Sequence, residues 1–205
     1  AESNTYTGLT LVDNMVELGL DKTSGATAVA GELTINPGGW VTVLGDEQIA
    51  DASTVNLRGG ARLQINSGSI ETIDTLTDDG ANNEIHYLLG GSLYVREGDI
   101  QAEFSHTGLS HPNIFGQKGN GTVTLLNPDS DFGPDSLLTV DGGTLRIGVN
   151  GAASGADMRI LSNGSTLSYG DGVELDSPLE LRADGNLEVL AGETARQTGN
   201  ITENG

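Results

Sequence analysis

The chain has 205 residues and a net charge of −20, from 29 acidic and 9 basic side chains, so duplex nucleic acid and anionic lipid would repel it. With no cysteine there is no thiol or disulfide chemistry, and no stretch reaches the roughly 18 apolar residues of a membrane span. Thirty-one glycines, 36% hydrophobic and 4% aromatic residues also argue against an ordinary packed globule. The chain opens on Ala1-Glu2-Ser3-Asn4 and stops at Glu203-Asn204-Gly205 without leader or stop features, which reads as a piece of something longer.

Along the chain, apolar residues recur as pairs separated by one residue, the period of a strand with one buried face. The pairs are Leu33/Ile35, Val41/Val43, Val55/Leu57, Leu63/Ile65 and Leu93/Val95, then Val123/Leu125, Leu138/Val140, Leu145/Ile147, Met158/Ile160, Leu167/Tyr169, Leu179/Leu181 and Leu187/Val189. Turn residues separate them, as in Asn36-Pro37-Gly38-Gly39, Arg58-Gly59-Gly60 and Asp141-Gly142-Gly143. Short and long steps alternate and sum to a near-constant period. Leu33 thus maps onto Val55, Val41 onto Leu63, Leu138 onto Met158, Leu145 onto Leu167, and Leu167 onto Leu187.

A fixed period of this length marks a solenoid. A sandwich would not need alternating steps, and leucine-rich repeats need helical segments that are missing. The expected fold is therefore all-β: a right-handed parallel β-helix of about 20–22 residues per coil, a single fragment over 1–205. About ten coils at about 4.8 Å each would stack to nearly 50 Å. The spacing weakens over 71–118, where segments 77–83 and 105–119 read as loops projecting from the stack.

Residues 117–147 resemble the autotransporter-associated β-strand repeat of Gram-negative passenger domains. Lys118, Gly119, Gly121, Thr122, Thr124 and Leu125 match its first part, and Gly133, Val140, Gly143, Leu145 and Ile147 its last. Asn4-Thr5-Tyr6-Thr7-Gly8, followed by Thr10, Val12, Val16 and Leu18, resembles its middle, with Met15 where the pattern has Gly. Asp129-Ser130-Asp131-Phe132 departs from the Tyr-containing turn. The resemblance divides the chain into two repeat-plus-spacer units, 1–118 and 119–205. It implies a right-handed parallel β-helix, export through the outer membrane to the cell surface or beyond, and a scaffold role in passenger transport. It implies no substrate.

Candidate chemistry is sparse. Asp78-Asp79 is the adjacent aspartate pair a glycan hydrolase would need, but it precedes Gly80 and reads as a solvated turn. Arg58, Arg62, Arg96, Arg146, Arg159, Arg182 and Arg196 mostly sit between core residues and point outward, where surface pairing is expected. His86, His106 and His111 are too scattered for a metal triad, with His106 and His111 flanking a loop. The serines offer no nucleophile elbow and no partnered His. Asn127–Asp131 faintly resembles a calcium loop and lacks its closing Glu. The Thr-x-Thr pairs Thr5/Thr7, Thr75/Thr77 and Thr122/Thr124 fall out of line, which disfavours an ice-binding ladder. Trp40 and Tyr94 are outward aromatics beside core pairs.

No catalytic, cofactor or metal residues are therefore expected, and no cofactor. The expectation is a structural, non-enzymatic segment of an exported bacterial surface protein, an autotransporter-like passenger supporting adhesion or display. The alternatives are a β-helical polysaccharide-degrading enzyme, with loops 77–83 and 105–119 forming its cleft, and a carbohydrate-binding module. Expected partners are a host or surface glycan or protein, with self-association through exposed strand edges. Nucleic acid and membrane insertion by this segment are not expected.

Overall fold

The computed structural model describes residues 2–23, 25–107 and 112–204. They form a parallel β-solenoid of about nine turns, without a helix among the described residues. Each turn visits three faces.

The first face runs through Thr10–Val12, Leu33–Ile35, Thr54–Leu57, residues 75–78 and 97–100, Thr122–Leu125, Thr144–Ile147, Thr166–Tyr169 and Asn186–Val189. The second starts with Glu17–Leu20, Trp40–Val43, Arg62–Ile65, Glu84–Leu88 and Glu103–Thr107. Beyond Thr107 single backbone bonds carry it (Asp131 N–H to Phe104 C=O, Phe132 N–H to Ser154 C=O), until Val173–Leu175 pairs with Ala195–Gln197. The third begins as a bridge between Val29 and Ile49 and becomes regular from residues 70–73 onward. It continues through residues 92–95, Ile114–Lys118, Ser136–Asp141, Ala156–Ile160, Leu179–Leu181 and Ile201–Glu203.

All five coil-to-coil mappings read from the sequence are register pairs: Leu33 with Val55, Val41 with Leu63, Leu138 with Met158, Leu145 with Leu167, and Leu167 with Leu187. The period varies more than expected, from 19 residues between Ile85 and Phe104 to 25 between Gly98 and Val123. Nine turns replace the expected ten, so the stack is about 40 Å long.

Two expectations need correcting. Segments 77–83 and 105–119 are loops only in part: residues 79–83 form a turn between two strands. Asp78 ends the strand Ile70–Asp78, residues 105–107 end a strand, and Ile114–Lys118 is a strand paired on both sides; Gly108 to His111 lie outside the described residues. The pattern fades at 71–118 because two nine-residue strands, Ile70–Asp78 and Ser92–Ile100, each turn a corner. Along the first, Glu71 and Ile73 are buried, then Leu76, so the two-residue alternation changes phase midway. Arg96 bonds Asp74 across the two corners through both Nε and Nη2. The second correction concerns Leu187/Val189: they occupy inward columns but stay 45% and 42% exposed, because no described residue packs on their far side.

The interior is mostly aliphatic. Its exception is one aromatic cluster that holds all three phenylalanines of the chain, Phe104, Phe115 and Phe132, with Tyr87. It sits where the period is longest and the second face loses its regular strands. Bulky rings fill the wider section that small aliphatics would leave open.

Candidate functional site

Three clusters of chemically able side chains emerge. The first lies outward on the second face, which stacks Glu17, Trp40, Arg62, Glu84 and Glu103 in one column and Gly19, Thr42, Gln64, His86 and Ser105 in the next. Arg62 lies 4.6 Å over the Trp40 ring and pairs with Glu84 at 2.9 Å. Glu84 accepts the Ser105 hydroxyl, and Ser105 Oγ lies 2.6 Å from His86 Nδ1. Pairing of separate coils assembles this Ser–His–Glu group, so no local motif announced it; the shared register of residues 84, 86 and 105 was the available signal.

Its geometry is not that of a hydrolytic triad. Glu84 Oε1 stands 3.2 Å from His86 Nδ1, the same ring nitrogen that meets the serine, whereas a triad places acid and serine on opposite nitrogens. The consistent donor order runs from His86 Nδ1–H to Ser105 Oγ and from Ser105 O–H to Glu84. Burial first, and then Arg62, push the His86 pKa down, so the imidazole stays neutral. The network fastens three coils together.

The second cluster is the aspartate pair. Rather than lying free in solvent, Asp78 accepts the N–H groups of Gln101 and Ala102 from the following coil and of Gly80 from its own. Asp79 accepts Gly59 N–H from the preceding coil and Ala81 N–H. Those backbone bonds hold its carboxyl below the usual range, led by that from Gly59. Asn83, 1% exposed, joins them: its Oδ1 accepts Gly60 and Ala61 N–H, and its Nδ2 donates to Asp78, Asp79 and Leu57 C=O. Both carboxylates staple turns.

The third is internal. Glu71 is fully buried in the inward column of Leu93, Phe115 and Leu138, and it accepts N–H groups from Gln48 at 2.8 Å and Ile49 at 3.1 Å. It substitutes for a strand where the third face has only its bridge. Burial pushes its pKa up to about 8, the two backbone bonds act the other way, and nearby Glu47 and Asp51 add to the rise.

The remaining sequence candidates also have partners. His106 belongs to the strand Glu103–Thr107; its Nε2 is 3.6 Å from Asp131, and it packs on Gly133, where a Cβ would meet the ring at 2.8 Å. His111 lies outside the described residues. In the segment 127–131, Asn127 accepts Asp129 N–H, Ser130 accepts Phe104 N–H and Asp131 accepts Gly133 N–H. Among the described residues no three His, Asp or Glu side chains gather as a metal site. Arg146 bonds Ser168 and Glu193, and Arg159 and Arg182 share Glu180. Tyr94 lies over Gly116, with Lys118 5.4 Å from its ring centroid, so both outward aromatics carry a cation. Thr75 and Thr122 share a column after all, with Glu97 between them, and the column also holds Thr54, Thr144 and Thr166.

Together these features define a parallel β-solenoid whose reactive side chains are bonded into its own coils. Comparison with protein-family models, curated proteins and solved structures finds no match.

Proposed function

We propose that this chain is a structural β-helical segment of an exported bacterial surface protein, an autotransporter-like passenger that supports adhesion or display. One observation carries the reading: Asp78, Asp79, Glu84, His86, Arg62, Arg96, Arg146 and Arg159 are spent on bonds between coils. The two-part repeat resemblance around Asn4–Gly8 and 117–147 supplies the class of protein. An acidic exterior suits a stalk that must resist association along its length.

The test is display. Placed ahead of a passenger-transporting outer-membrane barrel in a Gram-negative cell, the segment should reach the surface and become accessible to added protease while remaining folded. Retention in the periplasm would overturn the reading. A second reading, a carbohydrate-binding face, draws on the threonine column at 54, 75, 122, 144 and 166. Binding on a glycan array that is lost in Thr122→Val and Thr144→Val would favour it over a passive stalk.

A further inference from the structure

An asparagine followed by glycine is a thermolabile step, because no Cβ shields the glycine nitrogen from the asparagine side-chain amide. Residues 120–121, 150–151 and 163–164 are such steps, each lying between two strands. The fold treats the three differently. At Asn163 the following coil engages both groups that would react. Gly164 N–H donates to Asp184 C=O at 2.7 Å, and Asn163 Oδ1 accepts Asp184 N–H at 3.0 Å. At Asn150 the side chain is held at both ends: Nδ2 donates to Gly172 C=O at 3.1 Å, and Oδ1 accepts Glu174 N–H at 2.7 Å. Neither amide turns toward its own main chain without giving up bonds between coils.

Asn120 has no such restraint. It is exposed between the strands Ile114–Lys118 and Thr122–Leu125, and among the described residues its side chain has no hydrogen-bond partner. Gly121 N–H also donates to none of them. Gln117 explains the arrangement. Fully buried beneath this corner, it donates from Nε2 to Gly119 C=O at 2.8 Å and Gly121 C=O at 3.2 Å, and its Oε1 accepts Gly143 N–H at 3.0 Å. Thr144 N–H donates to the same Gly121 carbonyl at 3.0 Å. The corner is thus fastened through its carbonyls, and the Gly121 nitrogen is left over. Glycine is also required there, since a Cβ at 121 would lie 2.3 Å from Arg96 C=O.

We infer that Asn120–Gly121 is a modification site, at which the folded chain deamidates spontaneously while Asn150 and Asn163 are protected. The inference is independent of export and display. The Gly121 nitrogen bonds to Asn120 Cγ, the Cγ–Nδ2 bond breaks, and the leaving nitrogen takes up the Gly121 proton and departs as ammonia. Water then opens the cyclic imide. Opening at Cγ gives aspartate, and opening at the main-chain carbonyl gives isoaspartate; nothing is oxidised or reduced. Isoaspartate inserts a methylene into the main chain between Gly119 and Gly121, the two residues that Gln117 bridges, and so loosens that clamp. Aspartate at exposed position 120 leaves it in place.

The full chain, incubated folded in mildly alkaline buffer and mapped by peptide mass spectrometry, tests this. Conversion at Asn120 should outpace that at Asn150 and Asn163 by about tenfold or more, the weight of a single hydrogen bond on a rate. In urea that unfolds the chain, the three steps should converge. Asn120→Gln should remove the fast conversion without raising the other two. Chains separated after conversion to isoaspartate should melt below Asn120→Asp, whose midpoint should match that of the unmodified protein. Equal rates at the three steps in the folded chain would overturn the inference. So would an Asn120 that stays intact in the fold under conditions that convert it in urea. Equal melting of the isoaspartate form and Asn120→Asp would overturn the role given to Gln117.

Discussion

A carboxyl group inside a column of leucine, phenylalanine and isoleucine must be protonated or bonded, and Glu71 relies on both. Its pKa, ordinarily 4.5, stands at about 8 in the fold, so the folded state holds the proton more tightly than the unfolded chain. Its stabilising contribution is therefore complete below about 4.5 and is lost as pH rises through about 8. The denaturation midpoint of the protein should fall across that window, by an amount equivalent to at most several kcal/mol. Glu71→Gln should flatten that dependence in urea titrations; a midpoint in the variant that still falls between pH 5 and 8 would reject the assignment. Tyr87 is a second buried polar group, and its hydroxyl has no hydrogen-bond partner in the aromatic cluster. Tyr87→Phe removes an unpaired donor without opening a cavity and should raise stability by about 1 kcal/mol. Neither residue was legible in the sequence. Glu71 sits just before the corner at Asp74, where the strand pattern changes phase, and nothing local marks Tyr87 as inward.

Among the elements, the strands were readable and the turns only half so. Aliphatic pairs such as Leu145/Ile147 reveal their face because burial on one side of a pleated strand imposes the two-residue period. Turn chemistry is set by the neighbouring coil: Asp79 reaches Gly59, 20 residues away, and Asp78 reaches Ala102, 24 residues away. A local reading of Asp78-Asp79-Gly80 therefore gives a solvated bend, and the Ser105–His86–Glu84 group stays hidden for the same reason. Asn83 is the centre of this joint. Asn83→Ala would leave the buried Ala61 N–H without its acceptor and should cost about 1–3 kcal/mol. Asp79→Ala should cost clearly less, since water can replace an exposed carboxylate at Gly59. Thermal unfolding of the two variants distinguishes them, and equal losses would contradict the central role of Asn83.

At the scale of the whole molecule, contacts run mainly between adjacent coils, with Arg146 reaching Glu193 two coils on, so stability along the stack is close to a sum of local interfaces. That sum is uneven. Coils between Leu33 and Leu179 bury their inward residues almost completely, whereas the described residues after Leu179 include no buried side chain. Among the described residues the segment 2–8 covers the first coil, and none packs on the far side of residues 186–203. Opening from the C-terminal end therefore costs least, because it breaks one coil interface and exposes little new apolar surface. Hydrogen exchange at low salt should show amides of 186–203 exchanging fastest. Protection should rise inward to a plateau over 54–65, 84–95 and 138–147, and Val12 and Leu20 should remain protected despite their place at an edge. Uniform exchange along the chain would mean that the stack opens as one unit and would refute the end-first account.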